Sequence, residues 1–383
     1  MSGVSDNSAI DVTGKGGAGR FQSFRPLADQ RPASSATCST FLSAGPVVGK
    51  SIVASFRACH ILADMKAVTY TQFGGPEVLR IADVADPVAG RGELVARVRA
   101  AALNPLDWKI RAGKLNLLAG RKFPKGTGFD FSGVVESCGP EVGGFKPGDE
   151  IFGQLKPFAA GSGTFAEKCR ARATQVVLKP AGLSFAEAAA APCAGMSALQ
   201  SLRHCQVGRG SRVLLIGAAG GLGLFAIPLA KRLGAHVTAV CSAPGVELVR
   251  RLGADAVIDR QKANPLAPGQ EYDAVLDLAA VYTFSACRHL LAPRGIYLNT
   301  MPGAGTLWSQ CWTGLFSTRK ARVLMLKPSV GALGELGALM ASGEVRPGVG
   351  RIFSFDDASV REMHRLSQDG HVLGKLVLEL PAG

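Results

Sequence analysis

The stretch VLLIGAAGGLGLFAIPLAKRLGA, residues 213–235, decides the fold. A strand of valine, leucine and isoleucine runs into a glycine-rich turn, and a helix-forming segment follows at once. Ala218 stands at the first position of the usual dinucleotide pattern G-x-G-x-x-G. Small residues still let the backbone approach a pyrophosphate, and the helix N-terminus offers free N–H groups to it. The predicted cofactor contacts in this turn are Gly217, Ala219, Gly220, Gly221, Leu222 and Gly223.

The alternation of strands and helices continues beyond this turn. HVTAVCS predicts the next strand, GVELVRRLGA a helix and DAVID a third strand. YDAVLDLA, GIYLNT and ARVLMLK repeat the strand pattern at intervals. Strands that alternate with helices predict a parallel, doubly wound sheet, which is the Rossmann type of α/β fold.

The chain before this region has a different pattern. From residue 65 to about 185, short β-rich runs such as KAVTYTQF and FSGVVESC are separated by glycine and proline turns, which predicts a compact β-rich domain. After about residue 327 come a helical segment, GALGELGALMASG, and a last strand, GKLVLEL. We expect this tail to return to the first domain. Residues 65–187 and 327–383 would then form a discontinuous catalytic domain, and residues 188–326 the Rossmann domain.

Residues 1–64 differ from the rest of the chain. They are rich in Gly, Ser, Ala and Arg and show little periodicity, which predicts a disordered N-terminal extension. Three explanations stay open: an organelle transit peptide, an upstream start assigned in error before Met65, or a genuine tail. We expect a cytoplasmic protein, with a chloroplast or another organelle as the alternative if the segment is a transit peptide.

Composition narrows the class of protein. The 383 residues hold enough apolar side chains for two cores, and no apolar run approaches the ~20 residues of a membrane span. The nine cysteines are scattered singly, which favours reduced thiols over a disulfide framework. The net charge of +14 is dispersed, with no basic run of five or more. We therefore expect no nucleic-acid partner and a basic surface that favours anionic ligands.

The end of the second predicted strand indicates which dinucleotide binds. NAD-binding folds place an acid there, about 20 residues after the glycine turn, to hold the ribose 2′-hydroxyl. This chain has Ser242 at that point, and no acid follows until Glu247. A serine can donate a hydrogen bond to a 2′-phosphate, and Arg260, after the third strand, can supply a cation. The hypothesis is that the cofactor is NADPH.

The order of these motifs resembles a known family. The chain has NPLDWKIRAG at 104–113, GFDFSGVVESCG at 128–139, GMSAL at 195–199, then the glycine turn and the GKLVLEL ending. Over roughly residues 65–383 this resembles the medium-chain dehydrogenase/reductases, and within them the zinc-independent quinone oxidoreductases. It is most similar to chloroplast-envelope quinone oxidoreductase homologues and to alkenal/enone reductases. The resemblance implies a GroES-like β-rich domain and a Rossmann domain.

Zinc-containing relatives have two cysteines and a histidine at three places where this chain has Asn104, Phe129 and Ala194. Cys193 lies one position away, and one thiol cannot build a site that needs three protein ligands. We therefore expect no metal.

The resemblance also implies roles for individual residues. The lysine that matches Lys109 contacts NADPH or substrate in the family, and the asparagine that matches Asn104 lines the site, so these two are the predicted catalytic residues. Asp107 between them suits either a helix cap or a buried ion pair. Leu115 stands where many relatives have a tyrosine, which argues against a tyrosine proton donor. Gly303, Gly374 and Lys375 complete the predicted cofactor contacts.

Asp130, between Phe129 and Phe131, is the acid left in the segment that holds a zinc-site histidine in relatives. The interpretation favoured here is structural: Asp130 pairs with a backbone amide or a basic residue and holds the floor of the cleft.

Together these observations predict an NADPH-dependent, zinc-independent oxidoreductase that transfers hydride to a small electron-poor acceptor, a quinone or an α,β-unsaturated carbonyl. Two alternatives stay open. One is a dedicated enone or double-bond reductase of a biosynthetic pathway, and the other is a non-catalytic NADPH-binding or quinone-sensing protein. Homodimers are common in the resembling family, so a homodimer is an additional expectation.

Overall fold

The computed structural model describes residues 65–157, 163–370 and 372–381. The predicted disordered extension, residues 1–64, lies outside the described residues. The strands are β1 Met65–Tyr70, β2 Arg80–Val84, β3 Glu93–Ala102, β4 Lys125–Gly126, β5 Asp130–Cys138, β6 Glu150–Gln154, β7 Lys168–Arg172, β8 Val176–Leu178, β9 Arg212–Ile216, β10 His236–Cys241, β11 Ala256–Asp259, β12 Tyr272–Asp277, β13 Leu291–Asn299, β14 Lys320–Val323, β15 Val349–Ser354 and β16 Lys375–Glu379.

Ten α-helices connect these strands in the described part of the chain. They are α1 Pro105–Arg111, α2 Asn116–Ala119, α3 Phe185–Ala190, α4 Pro192–His204, α5 Gly223–Arg232, α6 Val246–Arg251, α7 Phe284–Cys287, α8 Ala304–Phe316, α9 Val330–Ala341 and α10 Asp357–Asp369. None of the helices in these ranges is long and apolar enough to cross a membrane.

A six-stranded parallel sheet carries the glycine-rich turn. Its strand order is β11-β10-β9-β12-β13-β14, and β9 to β14 pair in parallel throughout. The strand order reverses between β9 and β12, and ligands of such sheets bind outside the carboxyl ends of the strands at this switch point. Val213, Leu214 and Leu215 of β9 are fully buried, as an apolar run in a sheet covered on both faces must be. The predicted Rossmann fold is confirmed.

The β-rich part forms a larger, mostly antiparallel sheet with the order β15-β16-β3-β5-β6-β8, and β7 pairs with β3 as well. A small sheet of order β2-β1-β4 lies beside it. Strand β16 pairs antiparallel with β3, with Val377 opposite Ala102, so the C-terminal segment returns to the first sheet. The exact domain boundaries stay predictions.

Local sequence signals explain the helices that carry the site. Pro105 occupies the first position of α1, where no N–H is needed, and Asp107 accepts a hydrogen bond from the backbone N of Asn104 at 2.8 Å. Ala191 and Pro192 divide the alanine-rich segment into α3 and α4. Several elements did not emerge from the sequence pattern, among them α8, β15 and α10.

Candidate functional site

The glycine-rich turn between β9 and α5 has two positions, Gly217 and Gly223, that leave no room for a side chain. Gly217 has a φ of +80°, and a Cβ there would lie 2.9 Å from the Cβ of Ala279. A Cβ on Gly223, the first residue of α5, would lie 2.2 Å from the carbonyl oxygen of Ala218. The turn therefore keeps the backbone open before a helix N-terminus, as the binding of a pyrophosphate requires.

The C-terminal segment closes onto this turn. The backbone N of Gly374 donates to the carbonyl of Ala219 at 3.0 Å, and Gly374 forms an isolated parallel bridge with Gly220. Gly374 has a φ of +73°, and a Cβ on it would lie 2.7 Å from the carbonyl oxygen of Gly348. The structure thus joins two sets of predicted cofactor residues that are far apart in the sequence.

Lys375 links the turn to the β-rich domain. Its aliphatic stem lies against Gly221, where a Cβ would come within 2.6 Å of Lys375 Cδ. Its Nζ donates to Asn104 Oδ1 at 2.7 Å and to the carbonyl of Leu103 at 2.8 Å. The side chain is 6% exposed. One buried cation therefore contacts both the predicted cofactor turn and a predicted catalytic residue.

Asp130, the first residue of β5, lies under this lysine. Its Oδ2 accepts hydrogen bonds from Asn104 Nδ2 at 3.0 Å and from the backbone N of Cys193 at 3.1 Å, and Lys375 Nζ lies 3.8 Å away. Asp130 is fully buried, and burial raises its pKa to about 6, although Lys375 opposes the rise. The carboxylate therefore pairs with a backbone amide and a basic residue, as the structural interpretation stated.

Asp107 lies in the first turn of α1, and its carboxylate completes the N-terminal cap. Besides the bond from Asn104, its Oδ1 accepts a hydrogen bond from the backbone N of Gly128 at 3.0 Å. Burial raises the pKa of Asp107 to about 7, with Asp130 adding to the rise. The sequence left open whether Asp107 caps a helix or forms a buried ion pair. The structure shows the helix cap.

Lys109 points toward the Rossmann domain. Its Nζ lies 3.3 Å from Met301 Sδ, and Met301 follows the carboxyl end of β13. Burial lowers the pKa of Lys109, and the charge of Lys114 lowers it further. A half-buried ammonium with no carboxylate partner among the described residues suits a site that receives an anionic or strongly polar group.

Ser242 and Arg260 lie at neighbouring strand ends. Ser242 follows β10, Arg260 follows β11, and the backbone N of Arg260 donates to the carbonyl of Cys241 at 3.0 Å. The same edge holds Asp259, whose carboxylate accepts from Gln261 N at 3.1 Å and has Lys262 Nζ at 4.0 Å. This edge of the sheet therefore holds the Ser242 hydroxyl and the cations of Arg260 and Lys262. Its one carboxylate, Asp259, already has hydrogen-bond and ion-pair partners.

Gly303 precedes the first turn of α8, and its backbone N donates to Thr306 Oγ1 at 2.8 Å. No described contact joins Gly303 to the glycine turn, so its role in cofactor binding stays a prediction. Sequence reasoning missed one member of the site, the backbone amide of Cys193. A signal for it existed, because Pro192 at the start of α4 leaves the following N–H groups free to bind an acid.

Two parts of the chain match known domain families. Residues 90–181 match the alcohol dehydrogenase GroES-like domain, and residues 252–378 match the zinc-binding dehydrogenase domain. The chain is 34% identical over 327 residues to the chloroplastic quinone oxidoreductase QR1 of Triphysaria versicolor, which covers 82% of this chain and 98% of that protein. The chain belongs to the medium-chain dehydrogenase/reductase superfamily.

This dehydrogenase/reductase is also similar to an enone reductase and to a quinone oxidoreductase of known structure. It is 38% identical over 224 residues to the 2-methylene-furan-3-one reductase of Solanum lycopersicum, covering 57% of this chain and 58% of that protein. Its fold matches the solved quinone oxidoreductase from Coxiella burnetii with a TM-score of 0.77 and 31% identity, over 83% of this chain and 99% of that one. The medium-chain reductase is therefore an oxidoreductase with a nicotinamide cofactor.

The residues of this medium-chain reductase do not suit the zinc ion in the family's description. The three relevant places hold the amide of Asn104, the buried ring of Phe129 and Ala194. Burial raises the pKa of the neighbouring Cys193 thiol to about 12, which disfavours the thiolate that a zinc site would need. Across residues 65–157, 163–370 and 372–381, no group of three His, Cys, Asp or Glu side chains could hold a metal ion.

The buried carboxylate predicts a pH dependence of stability. A folded-state pKa of about 6 lies above the usual 3.8, so the folded protein binds this proton more tightly than the unfolded chain does. The unfolding free energy of the wild type, relative to Asp130→Asn, should therefore fall by up to about 3 kcal/mol between pH 4 and pH 7. Urea unfolding of both proteins at the two pH values measures this difference, and a difference that is constant or rises with pH contradicts the burial argument.

Proposed function

We propose that this protein is an NADPH-dependent, zinc-independent reductase that transfers hydride to a quinone or to an α,β-unsaturated carbonyl. The observation that carries the proposal is the position of Lys375, which lies against Gly221 of the glycine turn and donates to Asn104 of the β-rich domain. The cofactor-binding turn and the polar floor of the cleft are thereby parts of one site.

The chemistry needs little from the protein beyond binding and orientation. When bound, the cofactor supplies the hydride, and the protein supplies position, electrostatics and exclusion of water. With a quinone, NADPH, one proton and the quinone give NADP⁺ and the hydroquinone. With an enone, the hydride adds to the β-carbon and a proton adds to the α-carbon. A site without an evident acid–base pair therefore suffices for either reaction.

The residues of the cleft then take specific roles. The turn residues Gly217, Ala219, Gly220, Gly221, Leu222 and Gly223, together with Gly374, hold the pyrophosphate. Lys375 and Asn104 orient the nicotinamide half of the cofactor from the cleft floor, and Asp130 fixes both side chains through its buried carboxylate. Lys109, opposite Met301, contacts the cofactor or the polar oxygen of the acceptor.

The choice of NADPH over NADH rests on the strand-end edge of Ser242 and Arg260. A hydroxyl and a guanidinium suit a phosphate, because Arg forms charge-assisted hydrogen bonds with phosphate oxygens. Relatives support a nicotinamide cofactor without deciding between the two dinucleotides.

Replacing Arg260 tests the cofactor choice. Arg260→Ala should lower kcat/KM for NADPH at least about tenfold, because a charge-assisted bond to phosphate contributes about 1.5–3 kcal/mol, and should leave kcat/KM for NADH within twofold. The matched control is Arg209→Ala, an exposed arginine that precedes β9 at the opposite end of the sheet. An equal loss with both dinucleotides, or wild-type preference for NADH, would remove the assignment of NADPH.

A panel of acceptors tests the reaction itself. The purified full-length protein is mixed with NADPH and, one at a time, with benzoquinones, naphthoquinones, enals, enones and saturated aldehydes, while loss of the reduced-nicotinamide absorbance is followed. We expect turnover with the electron-poor acceptors and none with saturated aldehydes. Tight NADPH binding without turnover on the whole panel would favour the non-catalytic alternative instead.

A further inference from the structure

Three buried polar side chains cluster where strands β12 and β13 end. Asp277 is the last residue of β12 and Asn299 the last residue of β13, and the two lie opposite each other in the parallel pair. Tyr297 lies two residues before Asn299, and all three residues are at most 3% exposed. Strands of a parallel sheet that is covered on both faces are normally apolar, and buried polar groups cost free energy unless they are hydrogen-bonded. The contacts of these three residues therefore indicate what the cluster does.

Asp277 is held by the backbone of the loop that follows it. In the part of the chain that the structure describes, no lysine, arginine or histidine pairs with its carboxylate. Instead, Asp277 Oδ2 accepts a hydrogen bond from the backbone N of Tyr282 at 2.7 Å. The N–H groups of Ala280 and Val281 also lower the pKa of Asp277, but burial outweighs them and raises it. Ala280 has a φ of +55°, so loop 278–283 takes a left-handed turn over the carboxylate that its N–H groups stabilise.

The hydroxyl of Tyr297 connects this loop to the loop after β13. Tyr297 Oη donates to the carbonyl of Tyr282 at 2.6 Å and lies 3.3 Å from Asp277 Oδ2. It accepts a hydrogen bond from Asn299 Nδ2 at 3.0 Å. Asn299 Oδ1 in turn accepts one from the backbone N of Met301 at 2.7 Å. A continuous buried network thus fixes both loops, and such a network specifies one arrangement of the backbone.

Both loops face the proposed cofactor site. Ala279 of the first loop lies so close to the glycine turn that a Cβ on Gly217 would be 2.9 Å from its Cβ. Met301 of the second loop lies 3.3 Å from Lys109 Nζ of the β-rich domain. The loops leave the carboxyl ends of strands beside the switch point, where sheets of this kind bind their ligands. The positions of the two loops therefore set the shape of the cleft between the glycine turn and Lys109.

We infer that Asp277, Tyr297 and Asn299 are positioning residues for the nicotinamide half of the cofactor. They act through loops 278–283 and 300–303, since the three side chains are themselves buried. The inference rests on the proposed function and extends it to residues outside the cleft. Loss of one member of the network should let the loops shift, and small shifts of groups that orient a reacting ring weaken its binding and its alignment.

Calorimetric titration of the full-length protein tests this role without an acceptor. The ligands are NADPH and 2′-phospho-ADP-ribose, which lacks the nicotinamide, so the ratio of the two Kd values reports how well the nicotinamide is held. Tyr297→Phe removes only the bridging hydroxyl. It should raise the Kd for NADPH about fivefold, the effect of one neutral hydrogen bond, and leave the Kd for the fragment within twofold. Asn299→Ala should give the same pattern and serves as the test if Tyr297→Phe does not fold.

The matched control is Tyr272→Phe. Tyr272 is the buried first residue of β12, at the opposite end of the strand, and its hydroxyl donates to Gln270 Oε1 at 3.3 Å. This variant should bind both ligands as the wild type does. A role in folding alone would lower the fraction of protein that binds, which the titration reports as stoichiometry, and would leave the ratio of the Kd values unchanged.

A ratio within twofold of the wild type in both Tyr297→Phe and Asn299→Ala overturns the inference, as does an equal change in Tyr272→Phe. A wild type that binds the fragment as tightly as NADPH also overturns it, because the nicotinamide is then not held. The proposed function fails separately. Absence of turnover on every acceptor contradicts the reductase and leaves the binding ratio in force. If the wild type prefers NADH, the choice of NADPH is wrong, and the ratio is taken with NADH and ADP-ribose under the same criteria.

Discussion

Replacement of Lys375 by methionine should lower kcat/KM for NADPH by about 100-fold or more. The variant keeps the apolar stem against Gly221 but removes the ammonium that Asn104 and the Leu103 carbonyl bind. It also leaves the Asp130 carboxylate buried without its nearby cation, and breaking a buried pair costs about 3–5 kcal/mol. Steady-state kinetics with NADPH and a quinone measure the loss.

Lys179→Met separates this effect from a general loss of a buried lysine. The Lys179 side chain is 5% exposed and pairs with Glu150 at 2.9 Å in the β-rich domain, so it matches Lys375 in burial. We expect Lys179→Met to lose stability while kcat/KM of the folded fraction stays within twofold. Lys375→Arg should restore part of the activity, because the charge returns without the same geometry. If folded Lys375→Met keeps kcat/KM within threefold of the wild type, Lys375 does not have the proposed role between the glycine turn and Asn104.

Gly221→Val should weaken NADPH binding by about 100-fold while the protein stays folded. The valine branches would fill the space between the glycine turn and the stem of Lys375, which comes within 2.6 Å of a Cβ at this position. The turn could then no longer approach a pyrophosphate closely. Fluorescence titration with NADPH gives the dissociation constant.

Gly143→Val is the matched glycine control, because Gly143 is exposed and a Cβ there meets nothing within 4 Å. It should bind NADPH as the wild type does and melt at nearly the same temperature. If Gly221→Val binds NADPH as tightly as Gly143→Val, the turn is not the pyrophosphate site. If Gly221→Val melts at a low temperature, its loss of binding could come from unfolding. Gly221→Ala is then used in its place, and we expect it to lose less affinity for NADPH.

The sequence predicted the parts of the site that depend on local rules. The glycine turn follows from a strand, small residues and a helix within 23 residues, so its position is confirmed by β9 and α5. Asn104 precedes the short helix α1 and Asp107 lies in its first turn, and both positions follow from local signals, Pro105 and the capping box. The Rossmann sheet and the β-rich sheet follow from periodicity in the same way.

The contacts that assemble the site were beyond sequence reasoning. The Lys375–Asn104 bond joins residues 271 positions apart, and no periodic pattern encodes such a contact. Helix α8 was missed because its apolar residues face outward, so its pattern does not mark a core-facing helix. The sequence did contain start and stop signals for helix α10. The Asp356 carboxylate accepts a hydrogen bond from the backbone N of Ser359 at the N-terminus, and Gly370 ends the helix.

The most direct test of zinc-independent hydride transfer uses NADPH carrying deuterium at the transferring C4 position. The full-length protein is first treated with a zinc chelator and then incubated with labelled NADPH and an enone, and the product is analysed by mass spectrometry and NMR. We predict unchanged turnover after chelation and one deuterium at the β-carbon of the saturated product. Loss of activity on chelation that zinc restores, or a product without deuterium at the β-carbon, would contradict the account.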